Sequence, residues 1–309
     1  MSGAAAAPPA PAVLWRGMDR AALDREYNAR AAVPDFAAEM ARYAEASAAA
    51  RAASPGARYG LRYAEGRGAT LDVFPGDPGG PVFLWFHGGY WRALSAADNG
   101  FVAAALPALC GAHVLVADYA LVTEGATLDD IVAQGRAALA WAAREARGLG
   151  ADPSRLFVGG SSAGGQIAAM LLADEGGGWR ARLGVPPDAV RGAVLLSGLY
   201  ELEPLRLCHV NDWLGLDAAT AERNSPALHV PPVGAPGVAR VLAAVGAREA
   251  GEFLRQTRDF AARWRAAGHA AEDVVVEGRH HFDLALALGE ADHPLCRAAA
   301  ALMAGGPAG

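Results

Sequence analysis

The chain has 309 residues, 53% of them apolar, and a formal net charge of −6. That length suits one large α/β domain with a sizeable core. The mild acidic balance provides no basic footprint for nucleic acid and no polybasic patch for a membrane surface. Cys110, Cys208 and Cys296 lie far apart and have no metal-ligand spacing. They argue against a disulfide framework or a zinc site, and fit a reducing cytoplasm.

The opening MSGAAAAPPAPA lacks the charged and apolar blocks of a signal peptide and reads as a disordered tail over residues 1–12. Residues 19–53 read as helical with a break at Val33-Pro34, because alanine favours helix and proline interrupts it. The texture then changes to eight short β-type runs: ARYGLRYAE, TLDVF, PVFLWFH, HVLVAD, RLFVGG, AVLLSG, VARVLAAVG and DVVVEG. The first two, joined through the Gly-containing EGRGAT, suggest an antiparallel lead-in. The later ones are continuously apolar, as parallel strands covered on both faces are.

Between them, helices are predicted over 96–109, 127–147, 163–173, 252–267 and 294–303, the second opening on a Thr127/Asp130 capping pair. Strand–helix alternation of this length implies a mostly parallel, doubly wound α/β sheet. One domain over 13–304 is the simplest organisation. Within it, residues 198–237 are rich in Pro and turn residues and suggest a small cap, and residues 305–309 read as a second tail.

LFVGGSSAGGQIAAM contains G-x-S-x-G centred on Ser162, between an apolar strand and an Ala-rich helix. A strand-to-helix turn this sharp needs small neighbours and pushes the central hydroxyl out at the carboxyl end of the sheet. Ser162 is therefore the candidate nucleophile, and Ser161 lacks the central position. A serine needs a base, and in such folds it follows the last strand. Both His280 and His281 stand there, and adjacent side chains on extended backbone point opposite ways, so one of them faces the serine. The acid follows the preceding strand, where Glu249 lies in a loop and Glu252 in the first turn of a helix. Asp259 and Asp273 are weaker choices, on a helix face and ahead of a strand.

The FHGGYW stretch after the third strand then acquires a role. Bare glycine backbone lets amide groups approach a reacting carbonyl and hold its oxyanion, together with the amide of Ala163. His87 would shape that loop without titrating in the reaction. Tyr90 and Trp91 are either packing residues or walls of an aromatic substrate pocket. A metal hydrolase using His87, His280 and His281 has no HExxH-type motif behind it.

Taken together, HGGYW, GGSSAGG, GAREAGEFLRQT and HHFDL, with LDREYNARAAVPDF near the N-terminus and SGLYELEPL, VNDWLGL and NSPAL in the middle, resemble the kynurenine formamidase (arylformamidase) family of α/β-hydrolases. That family lies within the broader hormone-sensitive-lipase-like esterase group. The resemblance runs nearly end to end. It implies an α/β-hydrolase fold with an eight-stranded sheet, N-terminal helices and a small cap. It assigns Ser162 as nucleophile, His281 as base and Glu249 as acid, with oxyanion donors at Gly89, Tyr90 and Ala163 beside Gly88, and Trp91 and Tyr90 as substrate contacts. The chain departs from the family's eukaryotic members in carrying Glu where they carry Asp. DYALVTEG also lacks the Arg often found after Asp-Tyr in the wider esterase group.

The implied activity is cofactor-free cleavage of N-formyl-L-kynurenine to L-kynurenine and formate, in tryptophan degradation. A carboxylesterase acting on short acyl or aryl esters or carbamates is the alternative. The expected partner is a small-molecule substrate, with no nucleic acid and no membrane, and a homodimer is compatible with the sequence.

Overall fold

The computed structural model describes residues 12–173, 178–235 and 238–305. The proposed tails at 1–12 and 305–309 fall almost wholly outside these residues. Eight strands form one sheet: β1 (Arg58–Arg62), β2 (Thr70–Phe74), β3 (Val82–Phe86), β4 (His113–Ala117), β5 (Leu156–Ser161), β6 (Val190–Leu196), β7 (Arg240–Gly246) and β8 (Ala271–Val276). Their order is β1-β2-β4-β3-β5-β6-β7-β8. Pairing is antiparallel for β1/β2 and β2/β4 and parallel from β4 onward. The expected mostly parallel sheet with an antiparallel lead-in is what the chain forms.

The continuous apolar runs have a direct cause. Successive strand residues face opposite sides of a sheet. Val82, Leu84 and Phe86 join the core under the helices Leu128–Glu145, Ala163–Met170 and Gly251–Ala266. Phe83 and Trp85 join the opposite core, packed against Tyr43 of helix Phe36–Ala52, the turn Ala96–Ala103 and helix Pro294–Ala304. With helices on both faces, neither side of β3 can be polar, and all five of its residues are buried.

Helix ends follow their caps. Thr127 and Asp130 cap each other's backbone reciprocally, with Thr127 N–H to Asp130 Oδ2 at 2.9 Å and Asp130 N–H to Thr127 Oγ1 at 3.2 Å. Asp35 restarts the chain after Pro34 by accepting from Ala38 N–H at 3.0 Å. The helix predicted over 96–109 is divided. A 3₁₀ segment, Ala96–Ala103, is followed by a separate helix, Leu106–Cys110. Pro107 has no N–H to continue a helical ladder, and it sits in the first turn of the second piece.

The topology places the site. From β3 the chain crosses to β4 on one side, then returns to β5 on the other. Such a reversal opens a crevice at the carboxyl ends of the strands. Because Phe86 pairs with Gly160 in register, the HGGYW loop leaving β3 and the serine turn leaving β5 emerge side by side. The segments after β6, β7 and β8 leave from the same edge. Residues 198–235 fold into short helices, Glu203–Arg206, Asn211–Leu214 and Ala218–Arg223, and a 3₁₀ turn, Pro226–Leu228.

Candidate active site

Ser162 sits at the apex between β5 and helix Ala163–Met170 with φ 56° and ψ −117°. A non-glycine residue in that region stores roughly 1–3 kcal/mol of strain. The turn persists because Ser162 N–H donates to Leu196 O at 2.8 Å and because the residues two positions to either side, 160 and 164, are glycines. A Cβ on Gly160 would stand 2.2 Å from Gly164 O, and one on Gly164 would stand 2.0 Å from Phe86 O. The G-x-S-x-G spacing is thus a steric requirement of the crossing between this turn and the end of β3.

His281 follows β8, and its Nδ1 lies 2.7 Å from Glu249 Oε2. The carboxylate can only accept, so Nδ1 carries the hydrogen and Nε2 is left as the basic nitrogen. Glu249 is held on its other oxygen as well. Oε1 accepts from Ser197 Oγ at 2.6 Å and from Gly246 N–H at 2.7 Å. Gly246 is needed here, because a Cβ at this position would be 2.4 Å from Arg279 O in the loop that delivers His281. The Phe253 ring packs on the imidazole at 4.5 Å between centroids.

The choices left open by the residues resolve geometrically. His280 faces away from the cavity. Its Nδ1 accepts from Phe282 N–H and Asp283 N–H, at 3.2 and 3.3 Å, and its Nε2 is 3.4 Å from Glu39. Glu252 is also engaged elsewhere. Arg255 grips it bidentately at 2.8 and 2.7 Å, and Tyr27 Oη donates to it at 2.8 Å.

The HGGYW loop runs through positive φ at three consecutive residues, 102° at Gly89, 51° at Tyr90 and 56° at Trp91, and the two that are not glycine are strained. A Cβ on Gly88 would lie 3.4 Å from Ser162 Cβ, so this loop lies directly against the serine. The carbonyls of Gly88 and Gly89 are both engaged. Gly88 O accepts from Tyr119 Oη at 3.2 Å and contacts His87 Nδ1 at 2.8 Å, while Gly89 O accepts from Arg92 N–H at 3.0 Å. In a trans peptide the N–H points opposite to the C=O of the same unit. Fixing these two carbonyls therefore turns the amides of Gly89 and Tyr90 the other way. Ala163 opens its helix, where the first-turn amides have no intrahelical partner.

His87 is fully buried, stacked on Tyr119 at 4.2 Å, and desolvation holds its pKa below the usual 6.5. It is a neutral brace for the loop. It does not converge with His280 and His281 as a metal-binding set would.

Ser162, His281, Gly88, Gly89 and Tyr90 line one cavity of about 460 Å³. Trp91 does not. Sequence reasoning offered it as a substrate contact, but its side chain is fully buried and its Nε1 donates to Gln166 Oε1 at 3.1 Å. Trp91 is scaffold between the loop and the serine helix. Tyr90 lines the cavity and donates through Oη to Tyr27 O at 2.6 Å.

A profile of the α/β hydrolase fold matches residues 83–284. The chain belongs to the α/β-hydrolase family. This hydrolase is 28% identical over 280 residues to the zebrafish (Danio rerio) protein named kynurenine formamidase, covering 87% of this chain and 92% of the relative. It is 32% identical over 202 residues to the Atlantic salmon (Salmo salar) protein of that name, covering 64% and 65%. It is similar to a solved structure described as a putative thioesterase from Silicibacter, with a TM-score of 0.76, 26% identity, and 91% and 98% of the two chains covered. A carboxylesterase of Mycobacterium tuberculosis is 40% identical over 103 residues, covering 32% and 31%.

The hydrolase builds the rest of its cavity from two further segments, the first of them outside the matched span. Tyr27, Phe36, Met40 and Tyr43 of the N-terminal segment form one wall, and His209 and Trp213 of the segment after β6 form another. Tyr27 is anchored by Gln256 Nε2, which donates to its Oη at 2.8 Å. Tyr43 Oη donates to Phe282 O at 2.8 Å, beside His281. Sequence reasoning missed Ser197 and Gln166. The only trace of Ser197 was a small residue ahead of Gly198 at the end of a strand. Gln166, a polar residue in an Ala/Gly-rich helix four positions after Ser162, was the clearer signal. Among the described residues no helix is long and apolar enough to cross a membrane.

Proposed function

We propose that this hydrolase removes the formyl group of N-formyl-L-kynurenine, giving L-kynurenine and formate. The observation that carries the reading is the extent of the match. The relative named kynurenine formamidase aligns over 87% of this chain, whereas the M. tuberculosis carboxylesterase aligns over 32%. An aromatic-walled cavity beside Ser162 supports the same reading.

In this mechanism His281 Nε2 takes the Ser162 hydroxyl proton as Oγ attacks the formyl carbon. The negative charge that develops on the formyl oxygen is held by the amides of Gly89, Tyr90 and Ala163. Glu249 fixes the imidazole tautomer and stabilises the imidazolium. Protonated His281 then gives its proton to the departing aryl nitrogen. A water, deprotonated by His281, attacks the formyl-serine, and formate leaves as Ser162 regains its proton.

Carboxylesterase activity on short acyl esters is the second reading, favoured by the match to the M. tuberculosis carboxylesterase. Steady-state kinetics of wild type and Ser162→Ala on N-formylkynurenine and p-nitrophenyl acetate test both. The expected result is a higher kcat/KM for the formamide, abolished by Ser162→Ala. A formamide turned over no better than the acetate would overturn the formamidase reading.

A further inference from the structure

Among the residues lining the active-site cavity, Arg30 and Arg92 carry full positive charge and none is Asp or Glu. This occurs in a chain whose net charge is −6. Both arginines are exposed at the cavity rim, and among the described residues neither is ion-paired to a carboxylate. By contrast Arg20, beside the same N-terminal wall, is paired with Asp24 at 2.8 Å.

Each rim guanidinium is supported by an aromatic ring of the cavity. Arg30 lies over Phe36 at 4.4 Å, and Phe36 packs edge-on against Phe282, which follows His281. Arg92 lies over Trp213 at 4.4 Å. A guanidinium stacked by its face keeps its in-plane N–H groups available, in the fork that matches a carboxylate. A cavity rimmed by one sign of charge also concentrates ligands of the opposite sign.

We propose that Arg30 and Arg92 form an anion-selecting rim, so that the preferred substrate carries a carboxylate on its leaving group, remote from the acyl bond. This rests on the reading of Ser162 as nucleophile of this cavity. It deepens the formamidase proposal by assigning residues to the amino-acid end of the substrate. Acyl transfer itself is unchanged, because the rim contacts only the part of the substrate that departs.

The test compares substrates that differ only in this charge: N-formyl-L-kynurenine and its neutral carboxamide, and an aryl acetate with a propionate tail and its propionamide. The readout is the ratio of kcat/KM, charged over neutral. Wild type is expected to prefer the charged member by about tenfold or more, with the difference in KM and the ratio falling as salt screens it. R30Q/R92Q is expected to bring the ratio close to one, and R30K/R92K to keep part of the preference.

A wild-type ratio near one, or a ratio unmoved in R30Q/R92Q, overturns the proposal and returns both arginines to a packing role over Phe36 and Trp213. Should R30Q/R92Q fail to fold, the wild-type ratio and its salt dependence decide. If neither formamide is cleaved while the propionate acetate is preferred and the preference is lost in R30Q/R92Q, the formamidase reading fails and the anion-selecting rim stands. If the formamide is cleaved with a ratio near one, the reverse holds.

Discussion

Trp91 Nε1 donates to Gln166 Oε1 at 3.1 Å, and this bond ties the glycine loop to the serine helix. Gln166 continues the connection by donating from Nε2 to Asn224 O at 2.9 Å. Trp91→Phe keeps most of the buried ring but leaves the Gln166 oxygen unpaired, a loss of about 1–3 kcal/mol. Thermal denaturation should show the lower Tm. Because the residue acts on the loop and not on the substrate, kcat should fall by similar factors for N-formylkynurenine and p-nitrophenyl acetate. A rise in KM confined to the formamide would return Trp91 to substrate contact.

Glu249 and Glu252 are three residues apart and should fail differently. Glu249→Gln keeps the shape but no longer enforces the Nδ1–H tautomer, so kcat should drop by on the order of 10³–10⁴ with a modest change in Tm. Glu252→Ala removes the bidentate partner of Arg255 and the acceptor of Tyr27 Oη, leaving Arg255 to Glu201 and Asp259, and should cost about 1–3 kcal/mol of stability. Its kcat at a temperature where it is folded should stay near wild type. Paired Tm and kcat measurements distinguish the two, and an inactive but stable Glu252→Ala would exchange their roles.

Gly164→Ala adds a single methyl in the most crowded place at the site, 2.0 Å from Phe86 O and 2.5 Å from His87 O. Both neighbours are backbone, so the serine turn and the glycine loop must separate. Overpacking of this kind costs about 1–3 kcal/mol, and the shift also displaces the oxyanion donors. Activity should fall further than the Tm shift alone explains, measured as kcat well below the melting transition. Retained full activity would show that the loop and turn are not coupled.

Acid sensitivity should report on His87. Burial holds its pKa below 6.5, so on acidification the unfolded chain takes up the proton first. Stability is therefore highest above about pH 6.5 and declines as the pH falls below it. His87→Gln retains a donor for the Gly88 carbonyl but has nothing to titrate. Its Tm should start lower and decline less between about pH 7 and about pH 5. Parallel declines in both proteins would mean that His87 does not set the acid limb.

The strands were readable because burial on both faces forces continuous apolar runs, and β3 is the clearest case. Ser162 was readable because only glycines fit at positions 160 and 164. The choice between Glu249 and Glu252 was not, since both are carboxylates near one helix start. What separates them is the long-range partner of each, His281 in one case and Arg255 with Tyr27 in the other. Trp91 was misplaced because an aromatic next to a glycine loop has the same local pattern whether it faces a ligand or the core. Only the fold reveals that Gln166 waits on the inner side. The resemblance to kynurenine formamidases resolved His281 before any geometry did.

The wall from Tyr27 to Tyr43 lies far ahead of Ser162 in the chain and outside the span shared with the wider hydrolase family. It is held by contacts such as Tyr27 to Glu252 and Gln256, none of which touches the Ser162–His281–Glu249 line. The wall is thus anchored apart from the groups placed for the reaction, and its link to the glycine loop is the bond from Tyr90 Oη to Tyr27 O at 2.6 Å. Changes in the N-terminal segment reshape the cavity first through that one bond, with Ser162, His281 and Glu249 held by partners of their own.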